Sequence, residues 1–325
     1  MRVLVLQPGY LGDTVFLGPA VRALKARWPE GRVALCVTPR GAPAARLLPG
    51  CDEVVVYDKR GADRGLSGLR RTARRLRDFG AELALVPHTS LRSGLLARLS
   101  GAPRRVGYAP LCSERVPLDR ARPFVDRALA LADRAGAPGD PALSLRAPPA
   151  HDAYAEGVLA GARRPVVGLV PGAVWATKRW AAERFAALAA ELVRDGATPV
   201  LLGGPSERAL ASRIQALAAV PMRDTTGNAI DEAVAVLARC DLVVGGDTGL
   251  VHCARARTAG AGPVRPDDTG SAPLHLAGTC ARARDPVPAV PRSRPGEVPA
   301  RPSRLPGPAR GGAGGGGGAR APRGW

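Results

Sequence analysis

Short apolar runs that alternate with longer helical stretches constrain this chain more than any other feature. Residues 3–6, 32–37, 53–57 and 83–86 are runs dense in Val, Leu and Ala. Continuous rather than alternating polarity is the pattern of strands buried on both faces of a parallel sheet. Between them the spacing turns helical. Val15, Leu17, Val21 and Leu24 are apolar while Arg22, Lys25 and Arg27 are charged, and a basic helical stretch covers 66–79. A second series follows, with strands at 165–170, 197–202 and 241–244 and helices at 181–194, 206–218 and 230–239. Strands alternating with helices imply βαβ units, so the expected class is α/β, two Rossmann-like domains in tandem facing a cleft. Residues 136–150 are rich in Pro, Gly and Ala and read as a linker, with a helix over 152–159. The expected boundaries are 1–150, 151–256 and a tail over 257–325.

The tail departs from the pattern. Beyond Ala256 there is no Ile, Phe, Tyr, Lys, Met, Asn or Gln, and Pro, Arg, Gly and Ala dominate up to a glycine run at 314–318. Such a composition buries too little apolar surface to offset chain entropy, and disorder is expected there. The tail also holds eleven Arg against four acids, +7 of the net +19. The rest of the charge is spread over the first 256 residues with acids interleaved. Without a long basic run or an interleaved aromatic pattern, the charge argues against nucleic acid and for anionic substrates or an anionic membrane surface. No stretch resembles a secretory leader or a membrane span, and the six cysteines lack metal-ligand spacing. The expectation is a cytoplasmic protein with no metal and no cofactor.

Glycine-bearing loops at strand ends carry the candidate chemistry, since ligands of open α/β sheets bind at the carboxyl ends of the strands. Pro8-Gly9-Tyr10-Leu11-Gly12-Asp13 links the first strand to the first helix; Asp13 either caps that helix or faces the cleft. The second half repeats the design with Pro171-Gly172-Ala173, followed by Trp175, Thr177, Lys178, Arg179 and Trp180. Lys178 is one of only three lysines in an arginine-rich chain, a compact charge suited to a phosphate oxygen or a solvated surface residue. Gly203-Gly204-Pro205-Ser206-Glu207 offers a carboxylate to ribose hydroxyls or simply begins a helix. Asp247, Thr248 and Gly249 join an apolar strand to a helix that carries His252. Backbone amides there suit a diphosphate, Asp247 suits sugar hydroxyls, and a lone helical His is either structural or turned to the same site.

In this order, Gly12-Asp13, the block over 171–180, Gly-Gly-Pro-Ser-Glu and Asp-Thr-Gly-Leu-Val-His resemble glycosyltransferase family nine, the heptosyltransferases, from Met1 to about Ala256. The resemblance implies a GT-B fold and inverting, metal-independent transfer of heptose from ADP-heptose to a hydroxyl of the lipopolysaccharide inner core. It makes Asp13 the general base and gives the donor diphosphate to Thr177 and Lys178. It assigns the ribose to Glu207 and the sugar and diphosphate to Asp247, Thr248 and Gly249, with His252 behind them. Peripheral contact with the inner membrane follows from such an acceptor. A related transferase using another nucleotide-sugar, or a non-catalytic nucleotide-sugar-binding remnant, is the alternative.

The family pattern continues past this His with a strand and a Phe-Gly-Pro-Thr loop, where this chain reads Arg257-Thr258-Ala259-Gly260. Codons for 260–269 read one nucleotide later permit Ala-Leu-Val-Leu-Phe-Gly-Pro-Thr, and the same shift over 285–291 permits Ile-Pro-Cys-Gln-Pro-Cys. A frameshift near 254–259 is therefore expected. It would leave the second domain incomplete and its last sheet edge unpaired.

Overall fold

Six parallel strands form the first sheet of the computed structural model, which describes residues 1–256 and the strand at 275–278. They are β1 (Arg2–Gln7), β2 (Arg32–Val37), β3 (Glu53–Val56), β4 (Leu83–Val86), β5 (Arg104–Gly107) and β6 (Glu114–Arg115), in the order β3-β2-β1-β4-β5-β6. The reversal of strand order beside β1 is the kind of crevice at which α/β sheets bind ligands. The helices are α1 (Leu11–Val15), α2 (Gly18–Arg27), α3 (Ala42–Arg46), α4 (Gly65–Phe79), α5 (Leu91–Leu99) and α6 (Phe124–Arg134). Leu69, Ala73, Leu76 and Phe79 of α4 pack with Leu96 and Ala97 of α5 against Leu4, Leu6, Ala84 and Val86 on one sheet face. Val21 and Leu24 of α2 and Ala128 and Leu131 of α6 cover Val3, Val5 and Leu83 on the other.

The helical periodicity after Asp13 resolves into two helices. Pro19 lies in the first turn of α2; lacking an N–H, proline suits a helix start and interrupts a continuing ladder. The region from 87 to 135 holds α5, β5, β6 and α6, none of which the sequence pattern had indicated. Residues 136–150 are no free linker. Leu145 N–H bonds Ala256 O at 2.8 Å, Arg146 N–H bonds Leu47 O at 2.9 Å, and Arg22 donates to Ala142 O at 2.7 Å. This segment is strapped onto the core, with Ser144 and Leu145 buried.

Downstream, α7 (Asp152–Leu159) precedes β7 (Val166–Val170), α8 (Ala182–Arg194), β8 (Thr198–Leu201), α9 (Arg208–Ala218), β9 (Arg223–Asp224), α10 (Ile230–Leu237), β10 (Leu242–Gly245) and α11 (Gly249–Ala256). The second sheet runs β11-β10-β7-β8-β9, where β11 is His275–Gly278. The edge of β10 that was expected to lie bare is thus paired, and paired antiparallel, from Leu242↔Gly278 to Gly245↔His275. The other pairings are parallel. The expectation of disorder over 257–325 otherwise falls outside the described residues.

Phe185 anchors the outer face of this sheet, fully buried and set edge-on to Trp180 with 5.0 Å between ring centres. On the inner face Val234 and Leu237 of α10 and Val251 and Cys253 of α11 belong to the same apolar cluster as α2 and α6 of the first half. The two sheets therefore share one continuous core, and α1 packs directly on α11.

Candidate active site

Three loops of the second half meet where β10, β7 and β8 end. Residues 176–178 form a single 3-10 turn, and the carbonyl of Lys178 lies so close over Gly246 that any side chain at 246 would collide with it. This contact sets Lys178 across the β10–α11 loop, where its Nζ donates to Asp247 Oδ2. The other carboxylate oxygen, Oδ1, takes His252 Nε2 at 3.0 Å. Asp247 is thus held between an ammonium and an imidazole from two elements. The His252 hydrogen bond, and after it Lys178, hold the Asp247 carboxyl well below the usual carboxylate range, although burial opposes them. A carboxylate so depressed contributes its stabilisation fully above the ordinary Asp pKa of about 4 and loses it only as pH falls through the lower folded value. The Asp247 carboxylate is therefore ionised throughout the neutral range.

His252 ties this cluster to the first half. It sits one turn into α11, its N–H bonded to Thr248 O at 3.1 Å. Its ring packs on Phe16, just after α1, with 4.6 Å between centres. Its Nδ1 is buried and has no hydrogen-bond partner among the described residues. With Nε2 turned to a carboxylate oxygen, a proton on Nε2 satisfies the pair and leaves Nδ1 as a bare lone pair. Gly12 makes the approach feasible, since a Cβ there would lie 2.6 Å from His252 Cδ2. Leu11 covers Gly249 just as closely.

Asp13 follows directly in that loop. Its Oδ2 accepts the Tyr10 N–H at 2.9 Å, the reciprocal half of a capping box. Its Oδ1 makes no hydrogen bond among the described residues, and the side chain is half-buried. Capping and a role in the cleft are therefore compatible: one oxygen fixes the carboxylate and the other stays open to a ligand. Thr248 and Gly249 are half-buried at the start of α11, and Thr177 is exposed on the 176–178 turn. Glu207 stands apart from the cluster. Its Oε2 accepts Gly204 N–H at 2.8 Å and its Oε1 accepts the Ser206 hydroxyl at 2.7 Å, so it stiffens the β8 loop, lying close across Gly172 of the neighbouring loop.

Two residues near Asp13 escaped the sequence reading. Lys59, in the loop after β3, donates to Pro8 O at 2.6 Å, which puts a cation on the Asp13 loop. Burial lowers its pKa, and Arg60 and Arg92 push the same way. His88, in the loop after β4, places Nδ1 2.8 Å from Ser93 Oγ. Burial pushes its pKa down, Lys59 adds to this, and Asp13 opposes it, so it is neutral at pH 7. The signal that could have found both is their place: each sits just past a strand end, where the first half gathers its polar side chains.

Comparison with known proteins fits this arrangement. The model of "Glycosyltransferase family 9 (heptosyltransferase)" matches residues 69–259, more than half of the chain. Lipopolysaccharide heptosyltransferase 2 of Escherichia coli is 28% identical over 301 residues, covering 83% of this chain and 85% of that protein. Among solved structures, a family 9 glycosyl transferase from Veillonella parvula superposes with a TM-score of 0.72 at 24% identity over 78% of each chain. The E. coli ADP-heptose lps heptosyltransferase II gives a TM-score of 0.67 at 25% identity over 78% of this chain and 81% of that one.

Proposed function

Because the chain belongs to glycosyltransferase family 9, the heptosyltransferases, we propose that it moves a heptose from ADP-heptose to a hydroxyl of the lipopolysaccharide inner core, inverting the anomeric carbon. The fold is GT-B, two Rossmann-like sheets whose strand ends carry the polar loops. The observation that carries the proposal is the Lys178–Asp247–His252 cluster, built against the loop that holds Asp13.

On this reading the donor diphosphate lies between Lys178, Thr177 and the backbone amides of Thr248 and Gly249 at the start of α11, where a helix N-terminus favours anions. Lys178 exchanges Asp247 for a phosphate oxygen, and the freed carboxylate oxygen accepts a sugar hydroxyl. His252 keeps the other oxygen in place, so Asp247 reorients little. Glu207, already rigid, offers its carboxylate to the ribose. Asp13 Oδ1 takes the proton of the acceptor hydroxyl as that oxygen attacks the anomeric carbon. The bond from that carbon to the diphosphate breaks on the opposite face, and ADP leaves with its added charge facing Lys178. Protonated Asp13, the new glycoside and ADP are the products. Preorganised cations of this kind supply the stabilisation that divalent ions supply elsewhere, so the reaction needs no metal. A lipid-anchored acceptor places the enzyme at the cytoplasmic face of the inner membrane; among the described residues no helix is long and apolar enough to cross a membrane.

The test is transfer by the purified full-length chain. ADP-heptose and inner-core acceptors, with and without a first heptose, are expected to give with one of the two a glycoside heavier by one heptose, of inverted configuration by proton NMR, while UDP- and GDP-sugars give none. Donor binding without any product would instead support the reading as a nucleotide-sugar-binding protein.

A further inference from the structure

The exposed surface where β3 and β4 end carries arginines without ion-pair partners beside leucines that face solvent. Helix α4 has fifteen residues and so runs about 22 Å, while the four-residue strand β4 to which it leads covers about 13 Å. Its C-terminal end is fixed at the far edge of the sheet, where Arg2 Nη1 donates to Phe79 O. The N-terminal turn of α4 therefore overhangs the strand ends near Asp13. Leu66, in that turn, is 71% exposed, and Leu91, the first residue of α5, is 62% exposed. A four-residue connection from β4 keeps Leu91 at the same end.

Leu66, Arg70 and Arg74 recur at every fourth position and so share one face of α4. Arg60 and Arg64 precede the helix. All four guanidiniums are exposed and lack an ion-pair partner among the described residues. The carboxylates beside Arg60, Arg64 and Arg70 are already engaged, while Asp78, one turn beyond Arg74 on the same face, is exposed and in no ion pair among the described residues. Asp63 is buried and binds Arg71 and Arg75, and Asp58 accepts the N–H groups of Gly61 and Ala62. Arginines whose neighbouring acids are occupied, set around solvent-facing leucines, match an anionic bilayer in charge and polarity.

We propose that this face, Leu66 and Leu91 with Arg60, Arg64 and Arg70, docks on an anionic lipid bilayer. The leucines enter the headgroup boundary and the guanidiniums meet lipid phosphates. Docked so, the open side of the Asp13 loop meets the membrane surface. This last step rests on the reading of Asp13 as the residue that meets a lipid-anchored acceptor; the docking itself does not.

The test is sedimentation of the full chain with vesicles of phosphatidylethanolamine and phosphatidylglycerol, with phosphatidylcholine vesicles as the uncharged reference. The chain is expected to partition onto the anionic vesicles. Arg64→Gln and Arg70→Gln should each lower the partition about fivefold, the equivalent of about 1 kcal/mol per basic residue at such a surface. Leu66→Ser with Leu91→Ser should lower it at least tenfold at unchanged melting temperature. Binding that survives these substitutions would be carried by the arginines of 257–325 and would overturn the proposal, as would failure to bind, or binding to duplex DNA that the same substitutions abolish while vesicle binding persists. Transfer to a delipidated acceptor separates the two readings. Docking with no transfer would remove the reading of Asp13 and leave the surface standing, and transfer without docking would do the reverse.

Discussion

Asp13→Asn is expected to lower the turnover of heptose transfer by about 10²–10⁴-fold, the usual contribution of a positioned general base, while ADP binding and melting temperature stay near those of the unaltered chain. Asparagine is the informative replacement. Its side-chain oxygen can still accept the Tyr10 N–H that Asp13 Oδ2 accepts now, so the start of α1 remains capped; alanine would also remove the cap, at about 1 kcal/mol. The measurement is kcat with ADP-heptose and a core acceptor, with calorimetric ADP binding on the same preparation. Turnover within a few-fold of the original would leave Asp13 with capping alone.

Asp247→Ala separates binding from turnover in the opposite sense. Its carboxylate occupies both the Lys178 ammonium and the His252 imidazole. Removing it frees Lys178 for a phosphate oxygen, so ADP affinity should hold or rise. The sugar loses its anchor, and misplacement of a reacting group by about 1 Å can cost about 10²-fold in rate. The expected pattern is ADP affinity unchanged or tighter with kcat for ADP-heptose down about 10²-fold. Loss of ADP binding with the carboxylate would mean that Asp247, rather than Lys178, organises the phosphate site.

The legibility of the chain followed the strength of its local signals. Continuous apolar runs gave β2 and β4 to the residue and β7 and β10 to within one, because a strand buried on both faces leaves no polar interruption. The region from 87 to 135 gave nothing: α5 has Ser93 and Gly94 on its buried side, and β5 begins with two arginines. Its fold is dictated by the sheet it joins rather than by its own pattern. Residues 136–150 looked like a linker because Pro and Gly are common to linkers and to extended segments strapped over a core; only the partners Leu47 and Ala256 tell them apart.

The candidate site divides in the same way. Glycine-bearing loops after strands pointed to Asp13, Lys178, Asp247 and His252, since close backbone approach demands glycine. What no spacing encodes is which distant loops meet, because tertiary contacts set that. The meeting of Gly12 with His252 and of Gly246 with Lys178 is of this kind. The engagement of Glu207 is local instead, with Gly204 and Ser206 of its own loop, where the sequence offered either a ribose ligand or a helix start.

The most direct measurement is a calorimetric titration of ADP into the full chain in EDTA, repeated with Lys178→Ala. The account expects binding to persist with metals removed and to weaken about tenfold to a hundredfold when the ammonium is lost, in line with about 1.5–3 kcal/mol for a hydrogen bond to a charged group. ADP binding that vanishes in EDTA, or that ignores the loss of Lys178, would contradict it.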